Sequence, residues 1–135
     1  MSNRNTASKI NVIYPIIISL CFITLGCGGR AAKLPNGYQL VPRDDGYVLI
    51  SDDGIDVLKG SKTSDFCVAD GVIYGWIDDL NDDFYAVNTI THHLDLFDSW
   101  KELDVFLERS SLPKLTIKES FNYYDVIQKK KKLTW

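Results

Sequence analysis

The chain has little of what catalytic and metal centres are usually built from. Its 135 residues include two histidines, adjacent at His92 and His93, and three cysteines, at positions 21, 27 and 67. There is no paired CxxC, no GxxxxGK[ST] phosphate loop and no GxSxG nucleophile elbow. Catalysis needs a positioned acid, base or nucleophile, and these absences leave few candidates, so neither an enzyme nor a cofactor is expected. Positive charge is also scarce where nucleic acid would need it. Residues 28–112 hold 7 basic against 16 acidic side chains, which argues against a nucleic-acid-binding face and would suit a basic protein partner or simple solubility.

What the chain does have is a long uncharged segment near its start. Ile10 to Gly29 is twenty residues without a charge, preceded by Arg4 and Lys9 and ending in Leu25-Gly26-Cys27-Gly28-Gly29. A positive start, an apolar core and then small residues is the order of a secretory signal peptide. Ile16, Ile17 and Ile18 leave no polar face for a buried soluble helix. The core is also about long enough to span a bilayer, so an uncleaved inner-membrane anchor is the alternative, and Pro15 does not exclude it.

The end of this segment, Leu25-Gly26 before Cys27 and Gly28-Gly29 after it, resembles the lipobox of bacterial lipoprotein precursors. That resemblance runs from Met1 to Cys27 and departs from the family in having Thr24 where leucine is preferred. It implies that residues 1–26 are removed, that the Cys27 thiol carries diacylglycerol and that the new amino terminus is acylated. The protein would then be tethered to a membrane through lipid. Gly28, rather than aspartate, after the cysteine implies the outer membrane, facing the periplasm.

Removal of residues 1–26 leaves Cys27 to Trp135, enough for one domain that folds without disulfides. It also leaves 13 basic against 18 acidic side chains, a net of −5, where the whole chain carries −3. With Cys21 removed and Cys27 blocked, Cys67 stands alone between Phe66 and Val68 and reads as a small buried residue.

Residues 27–36 read as a tether that ends at the Pro35-Asn36-Gly37 turn, and 37–118 as an α+β domain. Strands are expected at Tyr38 to Arg43, Tyr47 to Ser51, Ile55 to Lys59, Phe66 to Ala69, Val72 to Ile77, Phe84 to Thr89 and His93 to Phe97. Asp-Gly pairs at 45–46, 53–54 and 70–71 space them as an antiparallel meander. Val72 to Ile77 places Tyr74 and Trp76 on one face and Ile73 and Ile77 on the other, so it belongs in the middle of the sheet.

Ser99 with Glu102 is a capping box, and Trp100, Leu103, Phe106 and Leu107 form one apolar stripe. A helix over about 99–109 is therefore expected to pack on the sheet, stopped by Pro113. Leu115 to Lys118 could add a strand, and 119–135 reads as a basic tail, helical or loose, with Tyr123 and Tyr124 able to anchor it. The segments Tyr74-Gly75-Trp76, Phe84-Tyr85-Ala86-Val87-Asn88-Thr89 and Phe97-Asp98-Ser99 with Glu102-Leu103 are similar to a loose pattern in small uncharacterised bacterial proteins, which implies no function.

Three constellations invite a chemical reading. His93 and Asp95 share a strand face while His92 points away, which is short of a zinc site and fits an exposed turn, with a hydrolase as the remote reading. Asp78-Asp79-Leu80-Asn81-Asp82-Asp83 lacks the glycine and glutamate of a calcium loop and reads as solvated. Lys129 to Lys132, before Leu133-Thr134-Trp135, reads as a solvated terminus that could touch anionic lipid. The expected role is thus a non-catalytic, lipid-anchored envelope protein that binds a basic protein, in one version an immunity-type lipoprotein. The runner-up is a small-ligand or cell-wall-binding module using Tyr47, Tyr74 and Trp76.

Overall fold

The computed structural model describes residues 29–78, 83–129, 131, 133 and 135. The signal segment and Cys27 lie outside the described residues, as does most of the loop 78–83. Among the described residues no helix is long and apolar enough to cross a membrane.

Seven strands make one sheet: β1 (Ala32–Lys33), β2 (Gln39–Arg43), β3 (Gly46–Ile50), β4 (Lys62–Ala69), β5 (Val72–Asp78), β6 (Phe84–Asn88) and β7 (Leu94–Phe97). Each pairs antiparallel with the next in sequence, an uninterrupted meander from β1 to β7. Helices α1 (Trp100–Arg109) and α2 (Tyr123–Gln128) follow. The fold is α+β, as the spacing of turns implies. At the β4–β5 turn, Asp70 and Gly71 both have positive φ (49° and 74°), the two-residue conformation that matches strand twist and that Asp-Gly supplies at low steric cost.

Two cores follow from the alternation along β5. Ile73 and Ile77 enter one with Leu40, Leu49, Phe66 and Tyr85, while Tyr74 enters the other with Cys67, Phe84 and Ala86. Leu103 and Leu107 of α1 cover the second core, with Phe106 and Trp76 at its margin. Ser99 Oγ accepts from Glu102 N at 3.3 Å, and the Glu102 carboxylate accepts from Asp98 N at 3.1 Å, one residue earlier than the usual box. Gly75 faces the bulge in β4, where the register shifts between Thr63 and Phe66. A Cβ there would lie 2.4 Å from the Asp65 carbonyl oxygen, so only glycine lets the two backbones approach.

Four expectations are corrected. Ile55 to Lys59 makes only a single bridge, Asp56 to Ile50, before a series of turns, because the Asp56 carboxylate accepts from Leu58 N (3.2 Å) and Gly60 N (2.9 Å) and competes with a longer ladder. Leu115 to Lys118 is not a strand: Thr116 closes a turn by accepting from Glu119 N (3.2 Å) and Ser120 N (2.8 Å). The tether is shorter than residues 27–36, since β1 pairs with β2 and Ala32 and Leu34 are buried. Nor is 119–135 only a tail. Phe121 and Phe66 exchange backbone hydrogen bonds (2.7 and 2.8 Å), and α2 buries Tyr123 and Val126 on the first core.

Candidate functional site

A groove of about 540 Å³ opens where the β2–β3 hairpin, the bulged start of β4 and the first turn of α2 meet. Its wall is aromatic. On β3, Tyr47 shares its face with Leu49 and stacks on Tyr123, with ring centroids 4.2 Å apart and planes 14° from parallel. Tyr124 stands edge-on to both, at 6.1 Å from Tyr47 and 5.5 Å from Tyr123, and is more than half exposed. Such offset and edge-to-face contacts add roughly 0.5–1.5 kcal/mol per pair beyond burial.

The first turn of α2 is held in place by its own cap. Asn122 Oδ1 accepts from Asp125 N at 3.0 Å, and Asp125 Oδ2 accepts from Asn122 N at 3.1 Å. The Phe66–Phe121 bridge then fixes the cap to β4. On β4 the bulge at Ser64 and Asp65 interrupts pairing and turns both residues into the groove, a common use of bulges beside sites.

The rim is acidic: Asp44, Asp45, Asp65 and Asp78 line it, with Arg43 the one basic lining residue among those described. Asp45 is paired with Lys62 at 3.3 Å. No ion pair reaches Asp44, Asp65 or Asp78 among the described residues. Burial raises the Asp65 carboxyl above its ordinary value, the Lys131 ammonium opposes this, and the Asp125 carboxylate adds to it. A hydrogen bond with Tyr124 is the first cause that pushes the Tyr47 phenol up to about 12, with burial adding to it. Tyrosine ring faces beside carboxylates without an ion pair are suited to an ammonium or guanidinium group.

The sequence-based candidates fall in different places. Tyr47 lies in the groove, but Tyr74 is completely buried and its hydroxyl donates to Pro113 O at 2.7 Å. Trp76 is half-buried, packed on Trp100 at 5.5 Å and Phe84 at 6.3 Å. The three do not form one surface, which removes the main support of the small-ligand reading. His93 Nε2 lies 3.2 Å from Asp95 Oδ1 on an exposed edge. His92 has φ 61° and turns away to Tyr38 Oη at 2.9 Å. No three potential metal ligands converge among the described residues. Cys67 is buried, and that burial, reinforced by the Glu119 carboxylate, pushes its thiol up to about 11, away from nucleophilic use.

Asp65 and the tyrosine pair carry the groove, and sequence reasoning misses them as a site. Asp65 stands at the margin of an expected strand, and Tyr123-Tyr124 in an expected tail. The Asn122-x-x-Asp125 spacing is the available signal for a helix start there. No protein-family model matches the chain, and comparison with curated proteins and with solved structures likewise finds no match.

Proposed function

We propose that this chain is a lipid-anchored envelope protein whose β domain binds a basic protein partner without catalysing a reaction. The observation that carries the binding part is the groove: three carboxylates without an ion pair among the described residues, around a stacked Tyr47–Tyr123 pair. A lysine or arginine side chain of the partner would lie against the exposed phenol of Tyr124 while the carboxylates neutralise it. The anchoring part rests on Leu25-Gly26-Cys27-Gly28-Gly29, with lipid on Cys27 and the outer membrane as the destination. An immunity-type protein that neutralises a basic toxin in the periplasm is one concrete form of this role.

Two measurements test the two parts separately. Mass spectrometry of the mature protein should find an acylated N-terminus at Cys27 that is lost in Cys27→Ser, and an intact Met1 in the membrane fraction overturns the lipoprotein reading. A photo-crosslinking residue in place of Tyr124 should trap one basic protein in cells, and Asp44→Asn with Asp65→Asn should abolish the adduct. Absence of any adduct at low and moderate salt, or an adduct indifferent to the two carboxylates, refutes the binding reading.

A further inference from the structure

The other end of α2 carries a surface of opposite charge. Arg30, Lys33 and Lys129 border a shallow depression of about 470 Å³ together with Ile127, Leu133 and Trp135, and no carboxylate lines it among the described residues. Arg30, Lys33 and Lys129 are exposed. Trp135 packs edge-on against Phe121 at 5.8 Å yet keeps 48% of its surface open to solvent. Asp125, the nearest acid on α2, is paired with Lys131 at 3.5 Å. Lys131 also donates to Ser120 O, so this part of the chain is built onto the domain.

The depression lies where the chain enters the fold. Ala32 is buried in β1, and the Tyr123 hydroxyl donates to Arg30 O, which fixes that entry point. Cys27 is three residues upstream of Arg30, so at about 3.3–3.6 Å per residue it can lie no more than roughly 11 Å away. Whatever holds Cys27 at a bilayer therefore keeps Arg30 close to it, and Lys33 and Lys129 border the same depression as Arg30.

We infer that this face docks on the bilayer that anchors the protein, with Arg30, Lys33 and Lys129 on anionic headgroups and Trp135 in the interface. Charge complementarity and the short reach from Cys27 select an anionic lipid surface as the occupant. A cation near such a surface contributes about 1 kcal/mol, roughly a fivefold change in equilibrium. Tryptophan, amphipathic and rigid, favours the headgroup level. Docking holds the domain in one orientation on the membrane, with the first turn of α2 in the acidic groove and its last turn at the lipid. This inference rests on the membrane tether of the proposed function.

The test uses the full chain, purified from membranes and reconstituted in vesicles of phosphatidylcholine alone or of phosphatidylcholine mixed with phosphatidylglycerol, the lipids brominated near the headgroup. The Trp135 signal is the difference between the parent and Trp135→Phe. It should be quenched in anionic vesicles and recover in neutral ones. Lys33→Gln with Lys129→Gln should lower the docked-to-free ratio about thirtyfold, the product of two such contributions. Circular dichroism of each variant reports that the fold persists, and Lys59→Gln, at an exposed lysine of the 55–60 turns, should leave quenching unchanged. Equal quenching in both lipid compositions, or quenching indifferent to the two lysines, overturns the inference. Mass of the same samples reports the tether independently: an intact Met1 sinks the lipoprotein reading, while docking stands or falls on the quenching.

Discussion

Gly75→Ala is the most severe test of how the sheet and the groove are joined. The added Cβ would lie 2.4 Å from the Asp65 carbonyl oxygen and 2.8 Å from Phe66 Cα, both backbone atoms that cannot rotate aside. Relief requires the bulge to move away from β5. That displaces Phe66, fully buried in the first core, and breaks its bridge to Phe121. Overpacking costs about 1–3 kcal/mol, and backbone obstacles place this case at the upper end. Replacing glycine in a strand returns only about 0.5–1 kcal/mol through the unfolded chain, so the net loss is about 2 kcal/mol. Urea unfolding should show the midpoint falling with an unchanged slope. Gly54→Ala provides the contrast: nothing lies within 4 Å of its Cβ and only its φ of +84° is strained, so its cost should be smaller. Equal or greater stability of Gly75→Ala would refute the close-approach argument.

Other substitutions probe the remaining contacts. Leu103→Ala, at a fully buried position on the inner face of α1, should cost about 2–5 kcal/mol in the same assay. Thr63 Oγ1 donates to Trp76 O at 3.0 Å, so it must accept from Tyr85 Oη, also at 3.0 Å. Tyr85→Phe removes that buried bond and should cost about 1–2 kcal/mol. Alkali should destabilise the fold, because burial raises Cys67 from 9.0 to about 11 and Tyr74 and Tyr85 above their ordinary 10.0. Groups raised in the folded state contribute fully below their unfolded values and lose that contribution as pH rises through the folded ones. Unfolding free energy should therefore fall from about pH 9 upward, and Cys67→Ala should remove the part between about 9 and 11. A flat profile to pH 11 would contradict the burial of all three.

The sequence by itself determined the meander and α1. Period-two alternation in Val72 to Ile77 sorts side chains to two faces without reference to the rest of the chain, and Ser99 with Glu102 fixes a helix start locally. Asp70-Gly71 likewise specifies its turn, since both residues tolerate positive φ. Local rules failed where the competing interaction was itself invisible in the pattern. Asp56 turned an expected strand into turns with its own carboxylate, and the segment before Pro35 became an edge strand because β2 offered it partners.

Only the tertiary structure decided the groove. Tyr47 and Tyr123 lie on elements far apart in the chain, and they stack because Phe121 pairs with Phe66 at the bulge, a contact that no local period encodes. The same bridge carries α2 back to β1 and so brings Lys129 beside Arg30 and Lys33. A one-dimensional charge count finds an acidic body and a basic end. Packing divides those charges between the two ends of one short helix, because its buried Tyr123 and Val126 leave α2 a single way to lie on the sheet.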